Sequence, residues 1–177
     1  MKEPEKTRRA GHGATAVKCQ LGQRSFVLTK GEGEPAMAIK TTTHLNFRGN
    51  ARDALAFYQS VFGGELTAFT YAQAQAVTDP AEADQIIWGQ VLAEDGFHVM
   101  AYDVPSAVSW DPGTIPVFVS VQGGDAEGIS RCWKRLVEDG TVVRPIGPSG
   151  FSPFYGMVRD RFGTTWVLAV EAARPAP

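Results

Sequence analysis

The 177-residue chain has few cysteines, no excess of charge of one sign and no long apolar run, and each shortage closes off a class of function. Its two cysteines, Cys19 and Cys132, form no C-x-x-C or comparable spacing, so no paired metal or redox centre is encoded and a reducing, cytoplasmic setting is expected. Apolar runs extend only a few residues, against the roughly 20 a helix needs to span a bilayer, so no membrane partner is expected. The 17 Lys and Arg are outnumbered by 19 Asp and Glu, and no basic run is interleaved with aromatics. A nucleic acid, whose phosphates require such a patch, is therefore not an expected partner. Gly-x-Ser-x-Gly, P-loop, Gly-x-Gly-x-x-Gly and His-Glu-x-x-His words are all missing, which leaves nucleophile-elbow hydrolases, nucleotide binders and zincins without support.

What is present suits one soluble domain, or two small modules sharing a core: 44% apolar and 20% charged residues at a formal net charge of −2. Residues 1–36 differ from the rest. Positions 1–13 are charged and lack the apolar stretch of a signal peptide, and 23–30 could form one short strand at most. The run Lys30-Gly31-Glu32-Gly33-Glu34 reads like a translated, purine-rich ribosome-binding site just before Met37. Residues 1–36 are expected to be either an upstream extension without function or a flexible tail.

From Met37 onward the sequence reads as a duplicated plan. Strands are expected at 42–47, 65–71, 85–93 and 97–103, the last two joined by the Glu94-Asp95-Gly96 turn. A helix starts at Asn50 or Ala51, with Asn50 as its cap and Asp53 near its positive end. Ala54, Leu55, Tyr58, Val61 and Phe62 form one apolar stripe with Phe57 on its flank, and Gly63-Gly64 supplies the left-handed positions that end it. Residues 72–84 are a polar excursion, either a pocket cover or a plain surface loop, and 104–113 carry the breakers of a linker. The plan then restarts: a strand at 115–121, Asp125 as cap, a helix from 126 to about 138 with Ile129, Cys132, Trp133, Leu136 and Val137 on its stripe, and strands at 141–146, 155–161 and 164–170. The stripe and the cap both lie 75 positions beyond their counterparts in the first half. Each half is thus β-α-β-β-β, with module one at 39–103 and module two at 114–171 of a single domain over 37–177.

The words His44-Leu45-Asn46-Phe47-x-Gly49-Asn50-x-x-x-Ala54-Leu55-x-Phe57-Tyr58-x-x-Val61-Phe62-Gly63-Gly64 and Tyr155-Gly156-Met157-Val158-x-Asp160-x-Phe162-Gly163-x-x-Trp166 resemble the vicinal oxygen chelate superfamily of glyoxalases, extradiol dioxygenases and bleomycin-resistance proteins, and within it the PhnB-like branch. The resemblance implies an α+β fold of two βαβββ modules forming a curled, cup-shaped mixed sheet with helices on the outside. It also implies four metal-ligand positions. These fall on His44, near Pro116, on Met100 or Ala101, and on Val167, so only His44 survives as a metal ligand. No cofactor is expected, and a divalent metal stands only as the alternative.

Alternate residues of each strand should line the cup: His44, Asn46 and Arg48 from the first strand, with Trp88, Gln90, Tyr102, Phe118, Ser120 and Tyr155 as further ligand-binding candidates. Aromatic walls with a few amide, hydroxyl and imidazole groups suit a flat or partly polar organic ligand; the competing reading is that several of these rings simply fill the barrel. His98 is expected to make a surface hydrogen bond, and Cys132 to pack in the core. Asp103 and Glu171 are solvated strand ends, or bases if they face the cavity. Arg159, Asp160 and Arg161 read as a charged turn. The function expected is small-molecule binding without a metal, as in sequestering resistance proteins. Its alternative is a metal-dependent lyase, isomerase or dioxygenase with non-standard ligands. A homodimer is the expected assembly, with Trp110 and Phe151 as exposed anchors and the linker and residues 72–84 shaping the cavity.

Overall fold

Period-two alternation fixes the strands of this chain and a three-and-four spacing fixes its helices. In the computed structural model, which describes residues 41–171, module one runs β1 (Thr43–Phe47), α1 (Ala51–Phe62), β2 (Glu65–Thr70), β3 (Ile86–Leu92) and β4 (His98–Asp103). Module two runs β5 (Val119–Gly123), α2 (Ala126–Leu136), β6 (Thr141–Gly147), β7 (Tyr155–Arg159) and β8 (Thr165–Val170). The extension expected over residues 1–36, with its short strand at 23–30, lies outside the described residues. Each module forms a mixed four-stranded sheet, ordered β1-β4-β3-β2 and β5-β8-β7-β6, in which the first and last strands pair in parallel. This is the expected α+β duplication. The two sheets remain separate, so the cup is not closed into one continuous sheet within the chain.

Leu45 and Phe47 of β1, Val99 and Ala101 of β4 and Val91 of β3 point to α1 and are buried, while the intervening residues face away. Ala54, Leu55, Phe57, Tyr58 and Val61 of α1 meet them, as the stripe predicts. Only Ile129 and Leu136 of α2 are buried to the same degree. One core spans both modules. Its seam is aromatic: the fully buried Trp166 of β8 lies against Tyr58 at 5.2 Å and Phe62 at 5.1 Å, Phe62 stacks on Phe97 at 4.0 Å, and Phe162 rests on Phe57 at 5.7 Å. A fully buried ring such as Trp166 or Tyr58 contributes roughly 1.5–3 kcal/mol, so this seam helps hold the modules together.

Helix and sheet approach closely because glycine stands beneath each helix. A Cβ on Gly89 of β3 would fall 2.5 Å from Leu55 Cδ1, and one on Gly156 of β7 would fall 2.9 Å from both the Ile146 backbone and Trp133. The strand expected from residue 115 begins only at Val119: Ile115 adopts φ 113°, Pro116 has no N–H to give a ladder, and Val117 and Phe118 are left exposed. Residues 72–84 are a mostly exposed excursion holding one 3-10 turn, Pro80–Glu82.

Candidate functional site

The start of α1 sets one wall of the site. Asn50, the expected cap, makes no side-chain capping bond. The carboxylate of Asp103, at the end of β4, takes that role from across the sheet: Oδ1 accepts from the Gly49 N–H at 2.7 Å and the Ala51 N–H at 2.9 Å, and Oδ2 accepts from the Ile86 N–H at 2.9 Å. Asp103 is 1% exposed. With three backbone donors on it, this carboxylate is structural, neither solvated nor a base facing a cavity. It fixes the turn at residues 48–50 and hence the base of Arg48.

The linker folds back along β1. Val104 N–H donates to Phe47 O at 2.7 Å, the buried Glu82 accepts from Ser106 N–H at 2.7 Å, and Arg48 Nη2 donates to Val108 O at 2.7 Å while its guanidinium lies 5.5 Å from the Trp110 ring. Trp110 is therefore half-buried under Arg48, not the exposed anchor expected, whereas Phe151 is 65% exposed. Between the linker, β1 and the β7–β8 turn lies a cavity of about 500 Å³. It is lined by His44, Asn46, Arg48 and Asn50, by Trp110, Asp111, Ile115, Pro116 and Val117, and by Arg159, Phe162, Thr164 and Thr165.

The β7–β8 turn is more than a charged loop. Asp160 is 4% exposed and accepts from Trp166 Nε1 at 2.8 Å, Phe162 N–H at 2.9 Å and Thr164 N–H at 3.0 Å. Burial pushes its carboxyl above the usual carboxylate value, with those bonds pulling the other way. Tyr58 beside it is pushed well up, first by burial and then by the Asp160 charge, and its hydroxyl shares a hydrogen bond with Thr164 Oγ1 at 3.0 Å. Arg161 lies over Phe57 at 4.2 Å and pairs with Asp139, while Arg159 Nε donates to Gly163 O at 3.2 Å at the cavity wall.

The ligand candidates divide among these surfaces. His44, Asn46, Trp88, Gln90 and Tyr102 share the face of module one turned away from α1, with His44 beside Met100, Met100 beside Gln90, and Asn46 beside Tyr102. The His44 ring meets Tyr102 edge-on at 5.4 Å, and desolvation lowers its pKa from the ordinary value. His98 bridges Thr42 Oγ1 and Gln90 Oε1, both at 3.0 Å, the hydrogen-bonding role expected of it. Ser120 and Tyr155 lie on the corresponding face of module two, and Phe118, before β5, is 51% exposed. Of the nine candidates only His44, Asn46 and Arg48 line the linker cavity, and Ser120 lines a second cavity of about 810 Å³ between α1, β5 and α2. Residues 72–84 line neither cavity. Sequence reasoning missed Arg159, Phe162, Thr164 and Thr165 as cavity wall. The breaker-rich linker was the one signal that a wall would close over β1.

A divalent metal does not fit this surface. His44 stands beside Met100, Pro116 carries no donor, and Val167 is paired with Ser120. Among the described residues no three His, Cys, Asp or Glu side chains gather to hold an ion, and none of their helices is long and apolar enough to cross a membrane.

Comparison with known proteins follows the same lines. Protein PA1353 from Pseudomonas aeruginosa is 28% identical and superposes with a TM-score of 0.67, covering 76% of this chain and 98% of that one. The putative 3-demethylubiquinone-9 3-methyltransferase, PhnB protein, from Bacillus cereus is 24% identical at a TM-score of 0.56, covering 75% and 99%. A glyoxalase family protein from Bacillus cereus is 15% identical at 0.53, covering 81% and 100%. The latter two speak for the fold alone. No curated protein matches the chain. Residues 41–168 match the family model described as Glyoxalase/Bleomycin resistance protein/Dioxygenase superfamily, and the chain belongs to that superfamily.

Proposed function

We propose that the chain is a small-molecule binding protein that works without a metal, taking its ligand in the cavity between β1, the linker and the β7–β8 turn. The observation that carries this reading is the cavity itself. At about 500 Å³ it has the size of a small-molecule site, and it sets aromatic and branched apolar walls beside a few polar groups. The metal-dependent alternative, a lyase, isomerase or dioxygenase, would need donors that Met100, Pro116 and Val167 do not supply.

Native mass spectrometry of the protein drawn from its own cells should show a retained organic molecule that Trp110→Ala releases. Metal analysis after adding nickel, zinc, iron or manganese should show no stoichiometric, tightly held ion. A held ion that His44→Ala abolishes would overturn the metal-free reading.

The same proposal includes a homodimer. Among the described residues β1 and β5 are edge strands, each paired on one side only, and Ile115, Val117, Phe118 and Phe151 expose apolar surface near them or in loops. A second copy would cover such edges. Light scattering at tens of micromolar should return twice the chain mass of 19.1 kDa, and a monomer mass would reject the dimer. Cys132, half-buried with its thiol directed at Val61 O at 3.7 Å, suits a reduced thiol and the cytoplasmic setting of this reading.

A further inference from the structure

The cavity between β1, the linker and the β7–β8 turn is cationic in a chain whose net charge is −2. Arg48 and Arg159 both line it, each steadied by a backbone carbonyl, and among the described residues neither has a carboxylate partner. Among the described residues the only carboxylate in the wall is Asp111, whose Oδ1 accepts from Gly113 N–H at 2.8 Å. Asp103 is buried and occupied by three backbone N–H groups. Each guanidinium has five N–H donors and spends one on its carbonyl, which leaves several free.

We infer that the cavity takes an organic anion, with a carboxylate, sulfonate or phosphate group held by Arg48 and Arg159 and an apolar body laid on Trp110, Phe162 and the wall of residues 115–117. This rests on the reading of the same cavity as the ligand site and names the class of ligand. Two guanidinium groups in a partly enclosed site favour an anion far more than they would in open water, because the low-dielectric wall weakens screening.

A matched pair of fluorescent probes tests it: 8-anilinonaphthalene-1-sulfonate and N-phenyl-1-naphthylamine, which has the same rings without the sulfonate. The native protein should bind the sulfonate more tightly. Arg48→Gln and Arg159→Gln should each reduce the ratio of the two affinities about tenfold, the change expected when a charged hydrogen-bond donor is lost. Arg144→Gln, an arginine that lies over Tyr155 outside the cavity, should leave the ratio unchanged. A ratio unchanged in either cavity variant, or a native protein that prefers the neutral probe, overturns the assignment of an anion. The cavity reading survives that result if Trp110→Ala still weakens both probes. If Trp110→Ala weakens neither, or the native protein binds neither probe, the cavity reading falls and the anion with it.

Discussion

The two modules share a plan but begin their helices differently. In module two, Asp125 accepts from the Glu127 and Gly128 N–H groups, both at 3.0 Å, so α2 is capped by the residue beside it. In module one the residue beside the helix does nothing of the kind, and Asp103 reaches in from the last strand. The corresponding strand end in module two is Val170, which cannot accept a hydrogen bond through its side chain. A local cap holds one helix turn. A distant buried carboxylate holds the helix, the turn carrying Arg48 and the start of β3 at once. The more deeply buried α1 is thus also the more tightly tied to its sheet, and it is the module whose first strand lines the proposed ligand cavity.

The contrast can be broken at its strongest point first. Asp103→Ala should cost about 3 kcal/mol or more in urea denaturation, since it strands buried N–H donors that had a charged acceptor. Gly156→Ala should cost about 1–3 kcal/mol, because its new Cβ meets the Ile146 backbone as well as Trp133. Gly89→Ala, which meets chiefly the flexible end of Leu55, should cost less, and the reverse order would show that the Leu55 side chain cannot move aside. Asp125→Ala should cost about 1 kcal/mol, confined to α2. If it cost as much as Asp103→Ala, the distinction between the two caps would fail.

The smallest effect concerns pH. Burial raises the folded-state pKa of Asp160 above its ordinary value of 3.8, so between those two values the folded protein holds this proton more tightly than the unfolded chain. Its contribution is therefore most favourable below about pH 3.8 and is lost as pH rises through the folded value. The stability difference between the native protein and Asp160→Asn, followed by urea midpoint, should shift against the native protein across that window and be flat above it. A difference that does not vary with pH would mean that the three hydrogen bonds to Asp160 fully offset its burial.

Much of this fold is legible in the chain itself. The spacing of Ala54, Leu55, Tyr58 and Val61 and the alternation around Leu45 and Phe47 reflect backbone periodicity, which a residue and its near neighbours settle without outside help. That Pro116 and Val167 offer no donor atom is plain from their side chains, while their place among the ligand positions is what the family resemblance implies. Asn50 and Asp160 were misread because their roles depend on long-range burial. Asn50 sits where a cap belongs, but Asp103 satisfies the free N–H groups there, and Asp160 sits in a charged triplet yet lies under Trp166.

The sequence by itself therefore determined the two βαβββ modules and their stripes, which follow from local periodicity. Only the tertiary structure decided that the linker returns along β1, that Arg48 and Arg159 face one cavity while Trp88, Gln90 and Tyr155 do not, and that the two sheets stay apart. Those outcomes turn on which distant surfaces come to exclude water from one another, a sum over the whole chain that no single segment carries.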